Sequence, residues 1–345
     1  VTIALLARTA LALLIGSVGG FALYALQVPL AWLVGAMLAT MIGSVLQLPI
    51  AIPQLVRGPM VVVLGVMLGS GFTPTMAASI PGWWATILAV AVAVFATTAI
   101  GFFTIRALTD HNRATAFFAA APGGLTEMVL AGKAMGGDDR FIAALQALRV
   151  MLVVASLSLW FKFTAGLSGM ASAAATPAPP LDPGDAVLLV ACAAGIVPAR
   201  LLRLPAALLV GPMLCSVVLH VLGITAGKPP NLLIIAAQIV VGASVGCRFA
   251  GWRVRDFRTA GAISVVLTVL MLGVAFAVAG IVEGLTGLAF PQLLLAFAPG
   301  GVAEMSLIAL TLGQGVAFVA THHVFRIFLI VLVMPLAFRL GIARV

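Results

Sequence analysis

Ala121-Pro122-Gly123-Gly124-Leu125-Thr126-Glu127-Met128 recurs as Ala298-Pro299-Gly300-Gly301-Val302-Ala303-Glu304-Met305. Each copy interrupts an apolar stretch, between residues 114–121 and 125–135 in the first case and between 289–298 and 302–313 in the second. Proline removes a backbone donor and Gly-Gly has no helical preference, so a helix must stop at each copy. Irregular backbone inside an apolar stretch is costly unless it is buried in protein or lines a polar cavity.

The repeat extends outward in both directions. Pro29 and Leu33-Val34-Gly35-x-Met37-Leu38 recur as Pro205 and Leu209-Val210-Gly211-x-Met213-Leu214. Gly65-x-x-x-Gly69-x-x-Phe72 recurs as Gly242-x-x-x-Gly246-x-x-Phe249, and Phe141-x-Ala143 with Arg149 recurs as Phe318-x-Ala320 with Arg326. Four blocks in one order at a nearly constant shift mark an internal duplication. The small, Pro-rich segment 164–183 reads as a linker, giving a first membrane repeat over 1–163 and a second over 184–345.

Composition names the solvent. Of 345 residues, 63% are hydrophobic and 8% charged, with a mean hydropathy of +1.26. A soluble domain carries about 25% charge, so the chain is expected to be a polytopic, all-α protein of the lipid bilayer. The apolar runs fall near 9–27, 30–47, 55–70, 82–107 and 140–162, then 184–199, 205–222, 231–247, 259–282 and 316–338. They predict about ten transmembrane helices. The run at 9–27 is read as the first span rather than a cleaved signal. Gly242-x-Ser244-x-Gly246 matches a serine-hydrolase elbow, but its apolar helical setting fits helix packing better. Cys192, Cys215 and Cys247 form no CxxC and predict neither a disulfide framework nor a zinc site.

Loop charge sets the topology. The net charge of +9 is spread thinly between apolar runs and marks cytoplasmic loops rather than a nucleic-acid surface. With Arg8 inside and both broken elements treated as re-entrant hairpins, Arg57, Arg106, Arg113, Lys133, Arg140, Arg200, Arg203, Arg339 and Arg344 also fall inside. Lys162 and Lys228 then fall outside. Gly71–Pro81 carries no charge, whereas its counterpart carries Arg248, Arg253, Arg255 and Arg258. The halves are therefore expected to be inverted about an axis in the membrane plane, with both termini cytoplasmic. A broken helix that crosses completely is the alternative.

Inverted repeats with discontinuous helices are the architecture of secondary transporters. The expected binding residues for substrate or ion are Pro122, Gly123, Gly124, Thr126, Glu127, Gln146 and Arg149 in the first half. In the second they are Pro299, Gly300, Gly301, Glu304, His323 and Arg326. Both glutamates stand in the first turn of a half-helix, where the macrodipole favours a carboxylate. Arg149 lies nine residues beyond Arg140, about 14 Å along a helix and near the middle of a core about 30 Å thick. Ionisable groups at that depth are functional candidates. A structural reading stands beside this one: Glu127 pairs with Arg149, and Glu304 with Arg326, to hold each hairpin to the next helix. A free imidazole has a natural titration range for a coupling proton, which makes His323 a candidate, though its counterpart is Gln146. His322 and His323 are adjacent and predict no shared metal.

At the repeated Pro-Gly-Gly-x-x-Glu-Met blocks, each followed by its arginine, the chain resembles the AbrB-type bacterial membrane proteins, known for an internal AbrB duplication. The likeness covers nearly the whole chain. It implies a multi-pass protein of the bacterial inner membrane whose relatives are labelled regulators of gene expression or ammonia monooxygenases, and it supplies no defined substrate. The chain shows no soluble basic module for DNA and no clustered ligands for a copper oxygenase. Neither a cofactor nor an enzyme activity is expected. Two readings remain. One is a secondary transporter or exporter of a small, negatively charged or other solute, coupled to H⁺ or Na⁺. The other is a membrane sensor that affects gene expression through a partner docked on Arg248–Arg258. A homo-oligomer is compatible with either.

Overall fold

The computed structural model describes residues 3–164, 183–252 and 254–341. Residues 165–182 of the expected linker, together with Arg253 and Arg344, lie outside them. The described residues are helical and contain no strand. In chain order the helices are α1 (Ile3–Ala25), α2 (Ala31–Val45), α3 (Gln54–Gly69), α4 (Pro74–Ser79), α5 (Trp84–Leu108), α6 (Arg113–Ala120), α7 (Leu125–Ala134) and α8 (Asp139–Thr164). They continue with α9 (Pro183–Ala193), α10 (Ile196–Leu201), α11 (Ala207–Val221), α12 (Asn231–Gly246), α13 (Val254–Thr286), α14 (Phe290–Phe297), α15 (Val302–Thr311) and α16 (Val316–Arg339).

Among the described residues, six helical stretches are long and apolar enough to cross a membrane: Ile3–Ala25, Pro74–Leu108, Asp139–Thr164, Asn231–Phe249, Phe257–Thr286 and Val316–Arg339. Large apolar side chains stand outward along them, among them Leu14, Val18 and Phe21 on α1 and Val269, Ile281 and Leu285 on α13. Such faces suit a hydrocarbon solvent. The other expected spans are shorter. α2, α3 and α11 have 15, 16 and 15 residues, about 22–24 Å at 1.5 Å per residue. The run 184–199, expected as one span, is divided into α9 and α10. Pro198 has no N–H to offer the carbonyl of Ala194, which instead accepts from Val197 at 3.1 Å in a tighter turn.

The chain forms two compact units, and each takes matching segments from both halves. The first comprises residues 1–79, 155–254 and 306–317. Its contacts are reciprocal. A β-carbon on Gly65 would fall 2.6 Å from the carbonyl oxygen of Leu209 on α11, and one on the counterpart Gly242 would strike the carbonyl of Leu33 on α2. The Ser216 hydroxyl donates to the carbonyl of Val66 at 2.9 Å, and its counterpart Thr40 donates to that of Ala243 at 3.3 Å. So α3 packs on α11 as α12 packs on α2. The Gly242–Gly246 stripe is thereby explained as a close helix seam. Even the turns repeat. Gln27 and Leu30 adopt positive φ before α2, as Arg203 and Ala206 do before α11, a conformation uncommon outside glycine.

The second unit comprises residues 80–154, 255–305 and 318–345. Within it the counterparts α5 and α13 run antiparallel. Leu108, at the end of α5, lines a groove with Phe257–Val266 at the start of α13, and a β-carbon on Gly101 would come 3.0 Å from Met271. α6 and α7 form a hairpin whose two ends meet. Asn112 Nδ2 donates to the carbonyl of Gly136 at 2.7 Å, and the Asp138 amide donates to the Thr115 hydroxyl at 2.8 Å. A fully crossing broken helix would hold those ends a membrane apart.

Asn112 also caps α6, its Oδ1 accepting from the amide and hydroxyl of Thr115 at 2.9 and 2.7 Å. Asn112→Ala removes both the cap and the latch. It should destabilise the hairpin base by about 1–2 kcal/mol. Hydrogen exchange of the 112–116 and 136–138 amides is the measurement, and unchanged protection would refute the latch. Beside it, Lys133 pairs with Asp139 at 2.8 Å, which holds the lysine pKa above its ordinary value.

Candidate functional site

The site grows out of the two breaks. In a continuous helix the carbonyl of Phe118 would accept from residue 122, but residue 122 is proline. The carbonyl of Leu295 loses its donor to Pro299 in the same way. Each orphaned carbonyl is buried and needs another donor. The next long helix supplies it. Gln146 Nε2 on α8 donates to the Phe118 carbonyl at 2.8 Å, and His323 Nε2 on α16 lies 2.8 Å from the Leu295 carbonyl. Because that carbonyl can only accept, Nε2 carries the hydrogen.

Three residues further along each helix stands the arginine. Arg149 donates to the carbonyls of Ala121 at 3.0 Å and Gly123 at 3.4 Å. Arg326 donates to the carbonyl of Ala298 at 2.5 Å and to that of Gly300. The two halves thus solve one problem in one way. An i, i+3 pair on a long helix holds the turn that the Pro-Gly-Gly break leaves open.

Both arginines are buried, with Arg149 3% and Arg326 4% exposed. Arg326 lies within electrostatic reach of Arg149 and of Glu304. The first hairpin tip reaches the same place, since a β-carbon on Gly123 would fall 2.8 Å from Ile330, one turn beyond Arg326. Among the described residues, four polar atoms of this group have no hydrogen-bond partner: Gln146 Oε1, Arg149 Nε, His323 Nδ1 and Arg326 Nε. Each half contributes one acceptor and one donor. Buried polar atoms are rarely left unmade.

The remaining expected residues are placed around this centre. Pro122 and Pro299 are buried at the tips, while Gly124 and Gly301 begin the second half-helices. The carboxylates of Glu127 and Glu304 fold back over Gly124 and Gly301, where a β-carbon would strike them. Only glycine leaves that space, and the arrangement matches a carboxylate at a helix N-terminus. Thr126 is exposed and stands apart from the buried group. The arginines' observed donations run to the tip carbonyls, a role not read from the sequence. The signal was present in the four-residue spacing of Phe118 to Pro122 and of Leu295 to Pro299.

His322 is held separately. Its Nδ1 faces the Phe318 carbonyl and its Nε2 faces the Thr86 hydroxyl, both at 2.7 Å. Among the described residues no three His, Cys, Asp or Glu side chains are grouped to hold a metal ion.

The family model described as "Transition state regulatory protein AbrB" matches residues 32–341, and the chain belongs to that family. It is 25% identical to "Uncharacterized protein YhjN" of Bacillus subtilis (strain 168), over 94% of this chain and 91% of that protein. It is 26% identical to a protein of Escherichia coli (strain K12) provisionally named as the regulator AbrB, over 90% of each chain.

Proposed function

We propose that this AbrB-family chain is a multi-pass inner-membrane secondary transporter that moves a small anionic solute, coupled to H⁺ or Na⁺. The observation that carries the reading is the pair of counterpart arginines, buried and within electrostatic reach of each other, each with an unpartnered Nε–H. Two guanidinium groups in an apolar setting repel, and an anion between them relieves that repulsion while completing their hydrogen bonds. The antiparallel course of α5 and α13 and the hairpin form of α6 and α7 support inverted halves with re-entrant tips. In that topology the shorter helices complete about ten spans, and both termini are cytoplasmic.

A second reading, a membrane regulator acting through a protein partner, is favoured by the family description and by the name of the Escherichia coli relative. The two differ in one experiment. Purified protein in proteoliposomes is challenged with small organic anions, ammonium and amino acids, with and without pH and Na⁺ gradients. The transporter reading expects a solute-dependent flux, as current or as radiolabel uptake, that falls at least tenfold in Glu127→Gln and in Glu304→Gln. Flux that persists in both variants would remove the hairpin tips from the site. No flux of any probe, by current or by radiolabel exchange, would overturn transport in favour of the regulator.

A further inference from the structure

We propose that His323 is the single proton-coupling group of this site, so that one carboxylate anion and one proton bind together. The inference rests on the anion-transport reading and names its coupling ion. Gln146 and His323 occupy equivalent positions and do the same structural work, each donating one N–H to a carbonyl orphaned by proline. Their remaining atoms, Gln146 Oε1 and His323 Nδ1, are both buried acceptors without a partner. Here the equivalence ends.

Gln146 cannot change. Both of its Nε2 hydrogens are committed, one to Phe118 and one to Ala121, each at 2.8 Å. The amide is held in one orientation and does not titrate, so Oε1 remains an acceptor. His323 can change. With Nε2 committed to the Leu295 carbonyl, the neutral ring presents a lone pair at Nδ1. A proton taken up there turns the acceptor into a donor without disturbing the Leu295 contact.

A carboxylate arriving at Arg326 Nε needs that change. Beside the neutral ring its oxygen would meet the Nδ1 lone pair, an acceptor against an acceptor. Beside the protonated ring it would receive hydrogen bonds from both His323 and Arg326. Anion binding therefore favours protonation, and protonation favours anion binding by the same factor. The charged or titratable groups that act on the ring are Arg326 and His322 on α16, and Arg326 is in turn within reach of Glu304 on α15 and Arg149 on α8. The His322 nitrogens are engaged by Phe318 and Thr86, so it is not a substitute donor.

The test is calorimetry of the full chain in lipid nanodiscs, titrated in turn with succinate, lactate and, as a non-carboxylate control, inorganic phosphate. Each is run in buffers of different ionisation enthalpy between about pH 5.5 and 7.5, where an imidazole titrates. The wild type should take up about one proton per carboxylate bound, with affinity falling about tenfold per pH unit in the coupled window. His323→Gln installs the residue of the other half. It should bind more weakly, with an affinity that changes less than about threefold across that pH range, and take up no proton, the mark of one lost titrating site. Gln146→His should raise the uptake to about two by the same linkage, and it keeps the test open if His323→Gln fails to fold. His322→Gln should leave the count at one. Carboxylate binding with an unchanged proton count in His323→Gln, or without proton uptake in the wild type, overturns this inference and leaves the anion site standing. No binding of any probe to the wild type removes the anion-site reading, and this inference with it.

Discussion

Arg326→Leu is expected to destabilise the protein by about 1–3 kcal/mol, and Arg149→Leu by a similar amount. Each guanidinium serves two tip carbonyls that have no helical donor. One of each two keeps another donor, since Ala121 also accepts from the Gly123 amide and from Gln146, and Ala298 from the Gly300 amide. Removing the guanidinium takes the donor from the other, Gly123 or Gly300, at about 1–3 kcal/mol. At about 2 °C per kcal/mol for a chain of this size, the midpoint of thermal unfolding in detergent should fall by about 2–6 °C. The double variant should lose less than the sum. The first substitution removes one of two like charges within electrostatic reach, and with it part of the cost of burying the other.

Lysine separates support from binding. Arg326→Lys keeps the charge and can reach one carbonyl, so about half the stability loss is expected. It has no guanidinium Nε–H, so the solute-dependent signal should fall as far as in the leucine variant. Equal melting temperatures in the wild type and both leucine variants would refute the clamp. A lysine variant that transports normally would detach the arginine from the solute.

Much of this arrangement was legible in the sequence, because proline and glycine act locally. Pro122-Gly123-Gly124 and its repeat announce a helix break whatever surrounds them. The glycines at 65, 69, 242 and 246 announce close helix seams. The partners across those seams were not legible. Nothing in Gly65-x-x-x-Gly69 says that it meets α11 rather than α2, since a small residue specifies distance and not identity. Loop charge favoured hairpins over crossing helices through sparse arginines, whereas Asn112 to Gly136 and Asp138 to Thr115 are direct contacts between the two ends of the first hairpin. The sequence also offered carboxylates as partners that would hold each hairpin to the next helix. Buried backbone was the competing claimant, and its need arises only once Pro122 and Pro299 have removed two donors. The capping of α6 by Asn112 has no equivalent at α14, whose N-cap is Ala289 and whose first turn holds a proline, so the repeat alone could not predict it.

The second large effect is expected at Gly35. A β-carbon there would overlap the carbonyl of Gly19 and come 2.6 Å from the Cα of Gly20, so backbone meets backbone where α1 crosses α2. The counterpart Gly211 is seated likewise, 2.6 Å from the carbonyl oxygen of Gly195. No rotamer change relieves such a contact, and the helices must separate. Gly35→Ala should cost about 1–3 kcal/mol and Gly35→Leu more, enough to lower the yield of folded protein. Gly273 supplies the control. It lies inside α13, and a β-carbon there would have no neighbour within 4 Å. Gly273→Ala should therefore be neutral or stabilise by about 0.5–1 kcal/mol, through the helical preference of alanine alone. Thermal unfolding of the three variants in one detergent distinguishes a backbone seam from a general intolerance of glycine substitution. Equal midpoints for Gly35→Ala and Gly273→Ala would dismiss the seam. The effect should also spread. α2 holds α12 through Thr40 and Ser44, whose hydroxyls donate to the carbonyls of Ala243 at 3.3 Å and Gly246 at 3.0 Å. Tilting α2 away from α1 must then break hydrogen bonds that join the two halves of the duplication.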